Sequence, residues 1–163
     1  MNFTKIKVSS TLLQKSMNWF FCPWIGAGIK LESISSDFRQ ARVVMPLRLY
    51  NRNFVGTHYG GSLYSMVDPM YMLMLLNILG TEFIVWDMAA KIQYKRPGKK
   101  AVYADFVIED DLLDMLYALK PDEKKIFDLP VDIKSLDTDE VIASAIKTTY
   151  VKRKAPNSER SKL

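Results

Sequence analysis

Apolar and polar residues alternate along six short segments of the chain, a two-residue period that is typical of half-buried β-strands. In the third segment the pattern predicts Met88, Ala90, Ile92 and Tyr94 on the apolar side and Asp87 on the polar side. The six segments are residues 29–32, 40–45, 87–95, 102–108, 127–133 and 141–151.

Helical patterns occupy three other segments. The run from Ser62 to Leu79 is apolar in nearly every direction, which predicts a helix roughly 27 Å long that is buried on most sides. Ser9 to Thr11 can cap an earlier helix that Pro23 would end, and Asp110 to Leu119 predicts a short amphipathic helix. A domain of this size can bury the long helix only if a curved sheet wraps it.

The order of these elements is helix, two strands, long helix and four strands, joined by hairpin-like connections. This order predicts an α+β fold with one antiparallel sheet. We predict a single domain over residues 1–152, followed by a basic tail over residues 153–163 that we expect to be disordered.

Composition and charge argue against nucleic acid and metal ions as ligands. The last twelve residues carry five basic residues and one acid, so they hold +4 of the net charge of +5 and leave +1 for the rest. A nearly neutral body argues against a nucleic-acid interface. One cysteine and one histidine exclude an internal disulfide and argue against a zinc site, so we expect no metal and a reducing, cytoplasmic location.

Targeting signals agree with that expectation. No secretory signal is visible, and the longest apolar stretch, residues 70–76, is too short to span a bilayer, so we expect no membrane insertion. Ser161-Lys162-Leu163 would be a peroxisomal address in a eukaryotic cell.

Candidate chemistry concentrates in residues 53–68. Gly60 and Gly61 lie where the long helix begins, and free backbone N–H groups there can stabilise a carbonyl oxygen as it gains charge. Asp68, a lone acid in the apolar run, could then act on that carbonyl, and burial should raise the pKa of its carboxyl. The segment therefore predicts an acyl-transfer or hydrolysis site.

Structural interpretations of the same residues stay open. The glycine pair could only permit a tight turn, and Asp68-Pro69 could be a helix cap followed by a proline at the first helical position. Asn53 could make a local turn bond, and His58 could be an interface contact.

The motif N-x-x-G-T-x-x-G-G-x-x-x-x-x-x-D over residues 53–68, with the turn at residues 94–98, resembles one thioesterase family. It is similar to the acyl-CoA thioesterases of the phenylacetate-degradation type, in the 4-hydroxybenzoyl-CoA thioesterase superfamily. It is still more similar to a bacterial subfamily without an assigned substrate. The similarity covers residues 10–152 and implies the hot-dog fold, in which an antiparallel sheet wraps one long central helix.

The resemblance also implies roles for individual residues. Gly60 would supply the oxyanion N–H, Asn53 would lie near the thioester carbonyl, and Asp68 would attack the thioester or activate water. From the residues themselves, the candidate substrate-binding positions are Gly61, Tyr59, His58 and Arg96. Tyr59 could donate its hydroxyl to a carbonyl or only fill space, and the basic turn that holds Arg96 could meet the phosphates of coenzyme A or only be solvated.

Further implications concern assembly and ligands. The family usually builds its site from two subunits, so a homodimer is implied, which can pair further into a tetramer. The substrate would be an acyl-CoA or acyl-carrier thioester, with coenzyme A as part of the substrate and no cofactor. Tyr59 stands where the family commonly has histidine, and Met72 where many members have serine or threonine.

Two other functions remain open at this point. A non-hydrolytic acyl-thioester or fatty-acyl binding protein would explain the residues at positions 59 and 72. A hot-dog dehydratase or hydratase would need a histidine–acid pair, which His58 and Asp68 do not obviously supply.

Overall fold

The computed structural model describes residues 8–155, where six antiparallel strands form one sheet in the order β1-β2-β4-β5-β6-β3. The predicted antiparallel α+β arrangement is therefore confirmed. The tail from residue 156 onward, with Ser161-Lys162-Leu163, lies outside the described residues. The strands are β1 (Lys30–Ile34), β2 (Gln40–Met45), β3 (Phe83–Tyr94), β4 (Val102–Val107), β5 (Lys124–Ser135) and β6 (Val141–Arg153).

In the described part of the chain, five α-helices accompany the sheet: α1 (Ser10–Trp19), α2 (Cys22–Ala27), α3 (Gly60–Val67), α4 (Met70–Leu79) and α5 (Asp110–Tyr117). The hydroxyl of Ser9 accepts a hydrogen bond from the Leu12 N–H at 3.2 Å, so the predicted cap of α1 is confirmed. The prediction that Pro23 ends this helix is wrong. α1 ends at Trp19, and Pro23 instead lies in the first turn of α2, where its missing N–H costs nothing.

The central helix contains a break at Asp68-Pro69, which separates α3 from α4. Proline has no N–H, so the carbonyl of Ser65 loses its partner within the helix. The indole N–H of the fully buried Trp24 donates to that carbonyl at 2.7 Å. Helix α2 therefore compensates for the hydrogen bond that Pro69 removes.

The core lies between the central helix and the concave face of the sheet, where Met66, Met70 and Met74 are fully buried. By length and composition, the helical segment Gly60–Glu82 could cross a membrane, which is a longer stretch than residues 70–76. It is the core helix of this domain, and core helices of globular proteins satisfy the same criteria.

Candidate functional site

Asp68 is held by two hydrogen bonds that end on the same carboxylate oxygen. Its Oδ1 accepts from the Lys147 ammonium at 2.6 Å and from the Tyr64 hydroxyl at 2.7 Å. Among residues 8–155 no donor reaches Oδ2, and the side chain is 48% exposed. No side chain caps α4, so Asp68 does not act as the helix cap that the Asp-Pro pair suggested. The arrangement fixes one oxygen and leaves the other open.

Lys147 is the buried cation of this cluster, with its side chain 1% exposed. It occupies an inward-facing position of β6 between Ala145 and Thr149, both of which are buried. Its ammonium contacts a second carboxylate, Asp87 Oδ2, at 2.9 Å. A buried charge is tolerated only when it is paired, and here two carboxylates share one cation.

A β-bulge in β3 brings Asp87 to this cluster. The pairing of β3 with β6 shifts register between Asp87 and Ala89, so Asp87 and Ala90 both face inward. The strict alternation predicted for this strand is therefore wrong at Asp87, because the bulge adds one residue. Met88, the residue that the bulge leaves without a partner in β6, is exposed.

Burial raises the pKa of Asp68, whereas the hydrogen bonds from Lys147 and Tyr64 lower it. The hydrogen bonds have the larger combined effect, so the pKa lies below the ordinary value of 3.8. The expected rise in this pKa is therefore wrong, because the sequence did not reveal the cation. Burial lowers the pKa of Lys147, but its bonds to Asp68 and Asp87 raise it more. Both groups are charged at neutral pH, so Asp68 can accept a proton or act as a nucleophile.

A cavity of about 630 Å³ adjoins the carboxylate of Asp68. Met72 lies in its wall one turn after the acid. The apolar residues along the wall include Met17, Phe21, Met72, Leu73 and Met88. The cavity can therefore accommodate an apolar group beside Asp68.

The glycine pair begins α3, and within residues 8–155 neither the Gly60 nor the Gly61 N–H has an acceptor. Neither glycine has a positive φ, so the tight-turn interpretation does not explain them. Two tyrosine rings lie close to them. A Cβ on Gly60 would lie 2.9 Å from the Tyr94 ring, and one on Gly61 would collide with the Tyr59 ring.

Asn53 is occupied by its own loop. Its Oδ1 accepts from the N–H groups of Val55 and Thr57, at 3.1 and 3.0 Å, and its amide donates to the Thr57 hydroxyl at 2.8 Å. A longer bond of 3.4 Å reaches the carbonyl of His58. These contacts make Asn53 an organiser of the loop before Gly60, which is the local turn role considered above.

His58 is buried, with 3% of its surface exposed. Its Nε2 lies 2.9 Å from the carbonyl of Lys100, so this nitrogen carries the proton and donates. Within residues 8–155, Nδ1 is buried without a hydrogen-bond partner, and burial lowers the pKa of the ring. His58 is therefore a neutral residue that ties the Gly60 loop to the turn after β3.

A second cavity, of about 570 Å³, lies at this end of α3. Arg96 lies on its rim with an exposed side chain that donates to the Val141 carbonyl at 3.3 Å. Tyr59 is also exposed, and it is the residue that precedes α3. Asn53, His58, Gly60, Lys95, Arg96 and Lys99 all line this cavity.

The predicted site residues thus fall into two groups within one chain. Asp68 lies eight residues after Gly60, a distance of roughly 12 Å along a helix, and the two residues line different cavities. One chain alone does not bring the Gly60 N–H and the Asp68 carboxylate to the same carbonyl. Within residues 8–155, no group of three or more His, Cys, Asp or Glu side chains could hold a metal ion.

Sequence reasoning missed Tyr64, Asp87 and Lys147. Lys147 carried a usable signal, because a lysine at an inward position of an apolar strand requires a buried partner. Asp87 carried none, since its inward orientation depends on a bulge that the alternating pattern conceals.

Solved structures similar to this one include proteins described as thioesterases. A Pseudomonas aeruginosa protein of unknown function, PA5026, described as a probable thioesterase, has a TM-score of 0.78 and 16% identity, over 90% of this chain and 97% of that one. Thioesterase HI1161 from Haemophilus influenzae has a TM-score of 0.66 and 15% identity, over 98% and 100% of the two chains. Thioesterase superfamily member 2 from Mus musculus has a TM-score of 0.61 and 19% identity, over 86% and 96%.

These similarities confirm the predicted hot-dog fold. No curated protein matches the chain. The profile of a family described as a domain of unknown function, DUF4442, matches residues 10–151. Because the match spans most of the chain, the protein belongs to the DUF4442 family.

Proposed function

We propose that this protein is a homodimeric acyl-CoA thioesterase in which Asp68 is the general base or nucleophile. One observation carries the proposal: Asp68 is an ionised carboxylate that is hydrogen-bonded through one oxygen only, and it lines a mostly apolar cavity. An anionic oxygen held beside a site for an apolar group is what hydrolysis of an acyl thioester requires.

The chemistry balances along either route. As a general base, Asp68 Oδ2 takes a proton from water while the water oxygen adds to the carbonyl carbon. The C–S bond then breaks, and the leaving thiolate takes that proton from Asp68. As a nucleophile, Oδ2 adds to the carbonyl carbon and expels the thiolate, and water then hydrolyses the mixed anhydride. In both routes the carbonyl oxygen gains charge, and the Gly60 N–H is the proposed donor to it.

A homodimer would unite the two halves of the site. The distance between Gly60 and Asp68 within one chain favours a carbonyl bound between Gly60 of one subunit and Asp68 of the other. Strand β3 is an edge strand of the sheet, so one of its sides offers unpaired backbone groups to a second copy. Trp86, Met88 and Tyr94 are large exposed residues on this strand.

Coenzyme A is the proposed occupant of the cavity that Gly60 lines. Lys95, Arg96 and Lys99 line it, and their charges suit the phosphates of the coenzyme. An acyl carrier protein would present the same thioester without the nucleotide, so we propose coenzyme A on the strength of this basic rim.

Thiol release from short, medium, long and aromatic acyl-CoAs tests the proposal. Asp68→Asn should reduce kcat by about 10²-fold to 10⁴-fold, because general-base catalysis contributes on that order. Asp132→Asn is a matched control, since Asp132 is an exposed acid on β5 that accepts from the Ser144 hydroxyl. Full hydrolysis by Asp68→Asn would refute the assigned role.

A non-hydrolytic acyl-CoA binding protein is the second candidate, and two observations favour it. Met72 offers no hydroxyl to hold a water molecule beside Asp68, and the Asn53 amide is used within its own loop. Thermal stabilisation by acyl-CoA without any thiol release would support this function over hydrolysis.

A further inference from the structure

The cluster around Lys147 contains more negative charge than a buried lysine needs. Lys147 contributes one positive charge, and Asp68 and Asp87 contribute two negative charges within 3 Å of it. One carboxylate would suffice to pair the ammonium. The second carboxylate therefore suggests a role in another charge state of the cluster.

The two carboxylates differ in their contacts. Both Asp87 oxygens are occupied, Oδ2 by Lys147 and Oδ1 by the Thr149 hydroxyl at 3.1 Å, and its side chain is 19% exposed. Asp68 has a free oxygen and is the more exposed of the two. Asp87 is thus held as a carboxylate by its contacts, whereas Asp68 has an oxygen available for reaction.

We infer that Asp87 is a positioning residue that keeps the buried Lys147 ammonium paired while Asp68 is neutral during turnover. The inference rests on the proposed hydrolysis, in which Asp68 loses its charge on either route, by protonation or by anhydride formation. The cluster then changes from a net charge of −1 to 0, and Lys147 retains one carboxylate at 2.9 Å. Without Asp87, the same step would leave a buried cation alone, which is costly.

The titratable groups that meet here come from three elements and the break between α3 and α4. Tyr64 of α3 lies 3.5 Å from the Lys147 ammonium through its hydroxyl, Asp68 lies at the break, Asp87 is on β3 and Lys147 is on β6. The α1 and α2 side of the cavity presents Met17 and Phe21, which carry no charge. The charge balance therefore depends on these four side chains.

Asp87→Asn tests the inference in the full-length protein, with Asp128→Asn as the matched control. Asp128 is exposed, accepts a hydrogen bond from the Thr148 hydroxyl at 2.6 Å and does not pair with Lys147. Carboxyl NMR titration, with the Asp68 signal assigned by its absence in Asp68→Asn, reports the charge balance without any substrate. In Asp87→Asn the Asp68 midpoint should fall by about one pH unit, because Lys147 then pairs with Asp68 alone.

The second readout is kinetic. Asp87→Asn should lower kcat about tenfold with an unchanged KM, because the cost falls on the step that neutralises Asp68. In a Lys147→Met background the same substitution should leave kcat unchanged, since no cation needs pairing. This background also serves if Asp87→Asn alone fails to fold.

The outcomes separate this inference from the proposed function. An Asp68 midpoint that stays constant or rises in Asp87→Asn, or an equal loss of kcat in both backgrounds, would overturn the role of Asp87 while hydrolysis stands. A falling midpoint without thiol release from any substrate would support the charge balance and reject hydrolysis.

Discussion

The two ends of helix α3 are built in different ways. The Gly60 end consists of one continuous loop, residues 53–61, fastened to the turn after β3 through the bond between His58 and Lys100. Its own available donors include the backbone N–H groups of Gly60 and Gly61, beside the basic rim of the cavity. The Asp68 end joins α3, β3 and β6 through charged side chains that are distant in sequence. A contiguous motif can thus be recognised directly, whereas a charge cluster requires the strand register.

Mixed dimers give the largest expected effect, because they test whether the two ends act together across subunits. Asp68→Asn and Gly60→Val should each abolish hydrolysis, the second because its side chain would meet the Tyr94 ring. Mixing the two variants should restore about a quarter of wild-type activity, since half of the dimers are mixed and each has one intact site. Thiol release after co-refolding measures this, and no recovery would place both residues within one subunit's site or assign them separate roles.

Lys147→Met should destabilise the Asp68 end most strongly. The substitution leaves two neighbouring carboxylates without their cation, and we expect a loss of about 3 kcal/mol in the free energy of unfolding. Lys134→Met is the control, because Lys134 is partly exposed and its pair with Asp139, at 3.6 Å, should contribute less than about 1 kcal/mol. Urea denaturation at pH 7 compares them, and equal losses would contradict the buried role of Lys147.

The same contrast determines how much the sequence could predict. The strands, the central helix and the glycine motif follow from periodicity and contiguous residues, and the structure confirms their existence. Asp87 could not be placed, because a one-residue bulge reversed its orientation. The pKa of Asp68 was predicted in the wrong direction, since burial was visible in the sequence and the partner 79 residues away was not.

Acid should lower the stability of the protein through the two ends of α3 in different pH ranges. Burial keeps the pKa of His58 below 6.5, so the unfolded chain binds a proton before the folded one as the pH falls through 6.5. Stability should then decrease by at most about 1.4 kcal/mol per pH unit. The lowered pKa of Asp68 acts in the same direction at lower pH, because its contribution is lost only as the pH falls below 3.8.

Denaturation between pH 7.5 and about pH 5 isolates the His58 effect, because this is the only histidine of the chain. His58→Gln retains a donor for the Lys100 carbonyl and cannot be protonated in this range, so its stability should stay nearly constant. An equal slope in both proteins would assign the pH dependence to another group.

Asn53 gives the smallest expected effect and separates loop order from substrate contact. Asn53→Ala removes the bonds to Val55 and Thr57, which should cost about 1 kcal/mol of stability and weaken the Gly60 end. Asn53→Asp keeps the Oδ1 acceptor and loses only the amide donor. If Asn53 serves the loop alone, Asn53→Asp should retain most of kcat, as measured by thiol release. A large loss of kcat with full stability would instead mean that the amide contacts the thioester, because a purely local role cannot produce that combination.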